Sequence, residues 1–177
     1  MNTIIKGKCW TCGDDVTVYQ IVSENHWTME RLDGEAMGNW VFESLEDGIA
    51  GVEGGFKHMG FDIVVAGRDF GCGSKSVEHP MAALKGAGIK LVVADSVSRY
   101  SYRNAINLAL PVVICPGISR KVHKNDRLAV DLINGKILNC TTGEETAAAG
   151  LGSFAMEILA AGGLLNYVSV RVNENDK

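Results

Sequence analysis

Proline is scarce in this chain of 177 residues, aromatic residues make up 7% of it, and no basic residues gather into a stripe. No stretch approaches the roughly 18 consecutive apolar residues that would mark a membrane-spanning helix. Lys and Arg number 17 against 21 Asp and Glu, a net charge of -4 spread along the chain, so nucleic acid and anionic membranes are not expected partners. The opening Met1-Asn2-Thr3-Ile4-Ile5-Lys6-Gly7-Lys8 lacks an apolar core of signal-peptide length, and a cytoplasmic protein is expected. Five cysteines form no dense framework, which suits a reducing compartment and argues against structural disulfides. Cys9-Trp10-Thr11-Cys12 has the spacing of half a zinc site, but no second Cys/His pair follows at zinc-finger distance, so its thiols read as structural.

What is present is glycine and apolar residues. Twenty-one glycines against three prolines, in a chain 46% hydrophobic, imply many tight turns and close backbone approaches. The length favours one domain spanning residues 1–177 with a core of its own. Phe61 to Gly67, Ile89 to Ala94 and Val112 to Cys115 are short β-branched runs with the look of strands buried on both faces. Between them, Glu78 to Ala87 and Ser98 to Ala109 read as helices, making a β-α-β-α-β unit whose right-handed crossovers give a parallel sheet.

Around that centre the pattern is looser. Thr3 to Cys9 and Val16 to Val22 read as extended pieces about the turn Gly13-Asp14-Asp15. Ser23 to Phe56 is a long excursion with one helix expected over Trp40 to Val52, and such excursions are often binding loops or covers. Arg127 to Leu132 and Lys136 to Cys140 flank Asn134-Gly135, the signal for a type I′ hairpin and added antiparallel strands. Phe154 to Ala161 reads as a helix ended by Gly162-Gly163, Leu164 to Val170 as extended, and Asn173 to Lys177 as a frayed tail.

The segment Gly71-Cys72-Gly73-Ser74-Lys75-Ser76 carries the most chemistry. A buried strand that delivers a glycine-rich turn to a helix start presents free N–H groups and a helix dipole to an anion. Two hydroxyls and the Lys75 ammonium add to that. The spacing is not that of a Walker loop, and a plain turn remains the bland reading.

At this point the residues resemble a known family. Val65-Ala66-Gly67-Arg68-Asp69-Phe70-Gly71-Cys72-Gly73-Ser74 followed by Glu78-His79 resembles the Asn-Phe-Gly-Cys-Gly-Ser-Ser-Arg-Glu-His signature of the isopropylmalate dehydratase small subunits, the swivelling domain of the aconitase superfamily. Gly88-Ile89 into Ala94-Asp95-Ser96, Tyr102-Arg103-Asn104-Ala105-Ile106-Asn107, Leu110-Pro111-Val112, Asn139-Cys140-Thr141-Thr142-Gly143 and Glu157 to Leu164 are similar to that family in the same order. The resemblance implies an α/β domain in three β/β/α layers, with a central mainly parallel sheet and a smaller antiparallel one. It also implies a hydro-lyase acting on a small 2-hydroxy di- or tricarboxylic acid, isopropylmalate first, with citramalate, homoaconitate-type acids or dimethylmalate as alternatives. A large subunit is the implied partner and holds a [4Fe-4S] cluster, while this chain binds no cofactor or metal. Ser74 is the implied catalytic base, with Ser76 second, and Gly73, Lys75, Arg99, Arg103, His26 and Thr17 are candidates for substrate binding. Gly71, Cys72, Glu78 and His79 would support the loop.

The sequence departs from the family in two places. Gly73-Ser74-Lys75-Ser76-Val77-Glu78-His79 is one residue longer than Gly-Ser-Ser-Arg-Glu-His and has no arginine, so the planar two-pronged carboxylate clamp is missing; Lys75 can replace its charge but not its fork, and either substrate placement differs or another arginine, such as Arg99 or Arg103, reaches in. Thr17 and Tyr19 stand where two acidic residues are usual, just before the segment Ser23 to Thr28 that overlies the family's substrate-recognition loop. His79 reads equally as a structural histidine, and the tryptophans as core or interface anchors. Arg99 and Arg103 share a helix face that suits a substrate carboxylate or a partner's acidic groups. A non-catalytic carboxylate-binding or regulatory module and a mononucleotide- or phosphate-binding domain are the readings from other classes.

Overall fold

The β-branched runs pair in the middle of a seven-stranded sheet in the computed structural model, which describes residues 3–28 and 30–175. β1 (Ile4–Thr11), β2 (Ile63–Ala66), β3 (Leu91–Ala94) and β4 (Val112–Ile114) lie parallel in the order β4-β3-β2-β1. Every residue of β2 and β3 is buried, as strands covered on both faces require. From the other edge of β1 an antiparallel arm continues as β5 (Arg127–Asp131), β6 (Lys136–Asn139) and β7 (Glu145–Ala147). The parallel and antiparallel sheets are therefore joined: β1 pairs with β2 through Cys9–Thr11 and with β5 through Ile4–Lys8.

Alternation along the strands separates two cores. Trp10, Val64, Ala66, Val92, Ala94 and Val112 face the helices. Cys9, Ile63, Val65, Leu91, Val93 and Val113 pack instead on Leu128, Val130, Leu132 and Ile137 of the antiparallel arm. The arm thus folds over the second face of the parallel sheet, giving the three layers.

Seven helices accompany the strands among the described residues: α1 (Val18–Ile21), α2 (Gly34–Gly38), α3 (Gly55–His58), α4 (His79–Gly86), α5 (Arg99–Asn107), α6 (Ser153–Ala160) and α7 (Leu164–Asn175). α4 and α5 are the two crossover helices, the second capped by the Ser98 side chain on the Ser101 N–H. α2 lies against α4 so closely that only glycine fits. A Cβ on Gly86 would sit 1.8 Å from the Gly34 carbonyl oxygen, and one on Gly38 would sit 2.5 Å from the Ala87 nitrogen.

Several local expectations are overturned. Val18–Ile21 is helical, because Thr17 and Gln20 form a reciprocal capping box that starts a turn within the β-branched run. No helix spans Trp40 to Val52; Phe42 at φ 57° and Gly48 and Gly51 at φ 82° and 71° break it into turns, and helices form at its flanks. The hairpin at Asn134-Gly135 exists, but with four residues between β5 and β6 and positive φ at Gly135 alone, since Asp131 accepts from the Ile133 and Asn134 N–H groups. Leu164 to Val170 belongs to α7, which is anchored by Tyr167 and Arg171 on Glu157. That helix takes in the expected tail as far as Asn175, and the last two residues lie outside the described ones.

The glycine contact between α2 and α4 gives a direct stability test. Gly86→Ala is expected to lose roughly 1–3 kcal/mol of stability as overpacking, read as a lower urea midpoint. Gly13→Ala, where an added Cβ meets nothing within 4 Å, should stay within about 0.5 kcal/mol.

Candidate active-site loop

Beyond the end of β2 the chain enters Gly67 to Glu78, and its first half is stitched on both sides. On one side Gly67 N–H donates to the Gly13 carbonyl, Asp15 N–H to that of Arg68, Gly71 N–H to that of Val16 and Val18 N–H to that of Cys72, at 2.7–3.1 Å. On the other, Phe70 N–H donates to the Ser96 carbonyl and Ser98 N–H to that of Phe70, at 3.1 and 3.0 Å. Residues 68–72 therefore form a turn bridged to a neighbour on each side, at Phe70 and at Cys72, with Phe70 buried beneath it as a plug.

Gly71 is the tightest point. Its carbonyl accepts two hydroxyls, Ser98 Oγ at 2.7 Å and the buried Ser101 Oγ at 2.6 Å. Its φ is 75°, and a Cβ would lie 2.4 Å from Ser101 Oγ, so conformation and space both demand glycine. Further on, Asn104 Nδ2 donates to the Val77 carbonyl at 2.8 Å. α5 thus holds the loop at both ends, through residues about thirty positions away in sequence that no local pattern announces.

Between these anchors the loop is free. Gly73, Lys75 and Ser76 are exposed and Ser74 is half-buried, and the side chains of Ser74, Lys75 and Ser76 have no hydrogen bond or ion pair among the described residues. Ser76 adopts φ 51°, a left-handed conformation that costs a residue with a Cβ and is often kept where function needs it. α4 does not start directly after the glycines. Its first residue is His79, Glu78 at the cap position makes no side-chain cap, and Pro80 stands in the first turn, where a missing N–H does no harm.

The segment Ser23 to Thr28 lies against the start of α4. The Trp27 ring stacks on His79 with centroids 4.8 Å apart and on Tyr19 at 5.8 Å, and its Nε1–H donates to the Val22 carbonyl at 3.2 Å. His79 Nδ1 is buried without a partner. His26 is occupied by the Glu43 carboxylate at 3.0 Å and stacked on Trp40 at 4.2 Å. Thr17 Oγ1 caps α1, while its backbone runs beside Cys72.

The two arginines of α5 are exposed and unpaired. Ser101 and Asn104 mark the side of α5 that faces the loop. At 100° per residue Arg99 and Arg103 lie roughly opposite Ser101, and Arg103 lines a cleft with Phe154, Ala155 and Ile158 of α6. Arg99 is the first residue of α5, next to Ser98 that anchors Gly71.

The thiols do not make a metal site. Burial pushes the Cys9 and Cys12 thiols up to about 12, and burial also raises Cys72. Among the described residues no three His, Cys, Asp or Glu side chains converge to hold a metal ion. No single helix among them is long and apolar enough to cross a membrane.

Asp14 is a latch that sequence reading missed. It accepts the Arg68 N–H at 2.8 Å and pairs with the Arg68 guanidinium at 3.0 Å, and the Arg68 amide, then its side chain, holds the carboxyl below its ordinary pKa of 3.8. A carboxyl depressed in the folded state contributes stability above its unfolded pKa and loses it as pH falls through the folded value. Hydrogen-exchange protection of the Arg68 amide should therefore fall only below the ordinary aspartate range, and Asp14→Asn should remove that acid step.

Comparison with known proteins agrees with this geometry. The family model described as the aconitase C-terminal domain matches residues 28–116. The isopropylmalate/citramalate isomerase small subunit of Methanocaldococcus jannaschii is 42% identical over 176 residues, 99% of each chain. The 3-isopropylmalate dehydratase small subunit 1 of Methanopyrus kandleri is 42% identical, covering 95% of this chain and 94% of its own. A crystal structure of 3-isopropylmalate dehydratase from Methanocaldococcus jannaschii superposes with a TM-score of 0.82 at 32% identity, over 98% of each chain. With a stitched glycine loop between the second strand and its helix, and relatives that match it from end to end, the chain belongs to the aconitase C-terminal domain family, alongside the small subunits of 3-isopropylmalate dehydratase.

Proposed function

We propose that this chain is the small subunit of a hydro-lyase and completes the active site of a separate large subunit, acting on a 2-hydroxy dicarboxylate of the isopropylmalate type. The observation that carries the reading is a pair of serine hydroxyls without protein partners, Ser74 and Ser76, on a surface loop whose flanks are pinned. A loop so exposed cannot exclude water by itself, and proton abstraction from carbon needs a dry, closed site. A second surface must cover it. The relatives' names as small subunits support a large one as that cover.

In this mechanism Ser74, deprotonated, takes the proton from the carbon next to the hydroxyl-bearing one, with Ser76 as the second hydroxyl of the site. Lys75 supplies positive charge beside the alkoxide, and the exposed Gly73 lets the backbone approach the substrate. Arg99, the first residue of α5 and next to Ser98, is the cation that would have to swing round the start of the helix to meet a carboxylate in the absence of a loop arginine. His79, ring-stacked on Trp27, fixes the far end of the loop. A [4Fe-4S] cluster held by the large subunit would supply the Lewis acidity that the departing hydroxyl needs.

Citramalate is the second substrate, because a relative 42% identical carries both activities in its name. The test is reconstitution with the cognate large subunit and assay against isopropylmalate, citramalate and dimethylmalate. Ser74→Ala should lower kcat at least a hundredfold with the complex intact, the scale of a lost general base. Ser76→Ala should do less. Full turnover in both variants would remove the serine loop from the chemistry.

A further inference from the structure

The side of α5 turned away from the serine loop borders a second concave site. There α5, α6 and the start of α7 enclose a cleft of about 350 Å³ lined by Ile106, Phe154, Ile158 and Leu164, together with Arg103 and Asn107. Among the described residues, the three helices that line it do not balance its charge. α5 carries two arginines and no acid. The one acid of α6, Glu157, already accepts from Tyr167 Oη at 2.9 Å and Arg171 at 3.1 Å. The described side chains of α7, Leu164 to Val172, include no acid. Among the described residues the side chains of Arg103 and Asn107 have no hydrogen-bond or ion-pair partner.

A mostly apolar cavity of this size with a few convergent polar groups has the make-up of a small-molecule site. An uncompensated guanidinium selects a planar anion, and a carboxylate matches its fork. The lining holds one cation, which suits one carboxylate and leaves a second without a counter-charge. We propose that this cleft binds a small monocarboxylate with a branched aliphatic or aromatic body, its carboxylate on Arg103 and Asn107 and its body against Phe154, Ile158 and Leu164. The site is distinct from the serine loop and selects against the dicarboxylates expected there. It does not depend on the hydro-lyase reading.

The experiment titrates the isotope-labelled chain with 4-methylpentanoate, with 4-methylpentanamide as the uncharged control, and follows backbone NMR shifts. Saturable shifts are expected on α5, α6 and the start of α7 with an affinity in the millimolar range. Binding should weaken at least tenfold for the amide, and likewise for the acid with Arg103→Met. Ala155→Trp, which fills the cleft, should abolish it. Absence of saturable shifts, equal binding by acid and amide, undiminished binding in Arg103→Met, or shifts confined to residues 73–79 would each overturn the proposal. So would an Arg103→Met variant that binds the acid unchanged yet loses affinity for the large subunit, because the cleft is then a protein contact.

Discussion

The double hydrogen bond onto the Gly71 carbonyl is the constraint around which the candidate site is organised. Ser98 and Ser101 both donate to it, and they lie at the cap and in the first turn of α5, so the start of that helix and the loop after β2 cannot move independently. The arrangement requires glycine at 71, a small hydroxyl residue at 101 and a helix that starts at Ser98 with the correct phase. One acceptor oxygen thereby couples two crossovers of the parallel sheet. The exposed half of the loop can stay open to solvent because its buried half is fixed.

Much of this was legible in the residues themselves. The three β-branched runs and the two alanine-, leucine- or arginine-bearing segments between them announced the parallel unit, because strands buried on both faces leave no room for polar residues. The motif from Gly67 to His79 announced the loop and the family, and the comparisons bear out both the family and the layered fold. Where the reading failed, two local signals competed. Thr17-Val18-Tyr19-Gln20 carries both a β-branched start and a capping-box spacing, and the cap decided. Val168, Val170 and Val172 alternate as a strand would, but Tyr167 and Arg171, four apart on one helical face, both reach Glu157.

The site's supports were less legible than its motif. Asn104 meeting Val77, Asp14 meeting Arg68 and Trp27 meeting His79 join residues distant in sequence, and only the fold creates such pairs. The same limit applied to Arg103. A spacing of four from Arg99 places the two on one helical side without saying which layer that side faces, and Ser101 and Asn104 settle it by pointing to the loop.

β1 is the one strand shared by the parallel and antiparallel parts of the sheet, and that has a consequence for how the chain reaches its native state. Ile4 pairs with Asp131 and Cys9 with Ile63, so β1, synthesised before both of its partners, must wait for β2 and then, much later, for β5. Pairing between ends so far apart in sequence slows folding. During synthesis an unpaired β1 edge stays open to other chains until β5 arrives, and the charged Lys6 and Lys8 along it are the kind of residues that keep such an edge from aggregating.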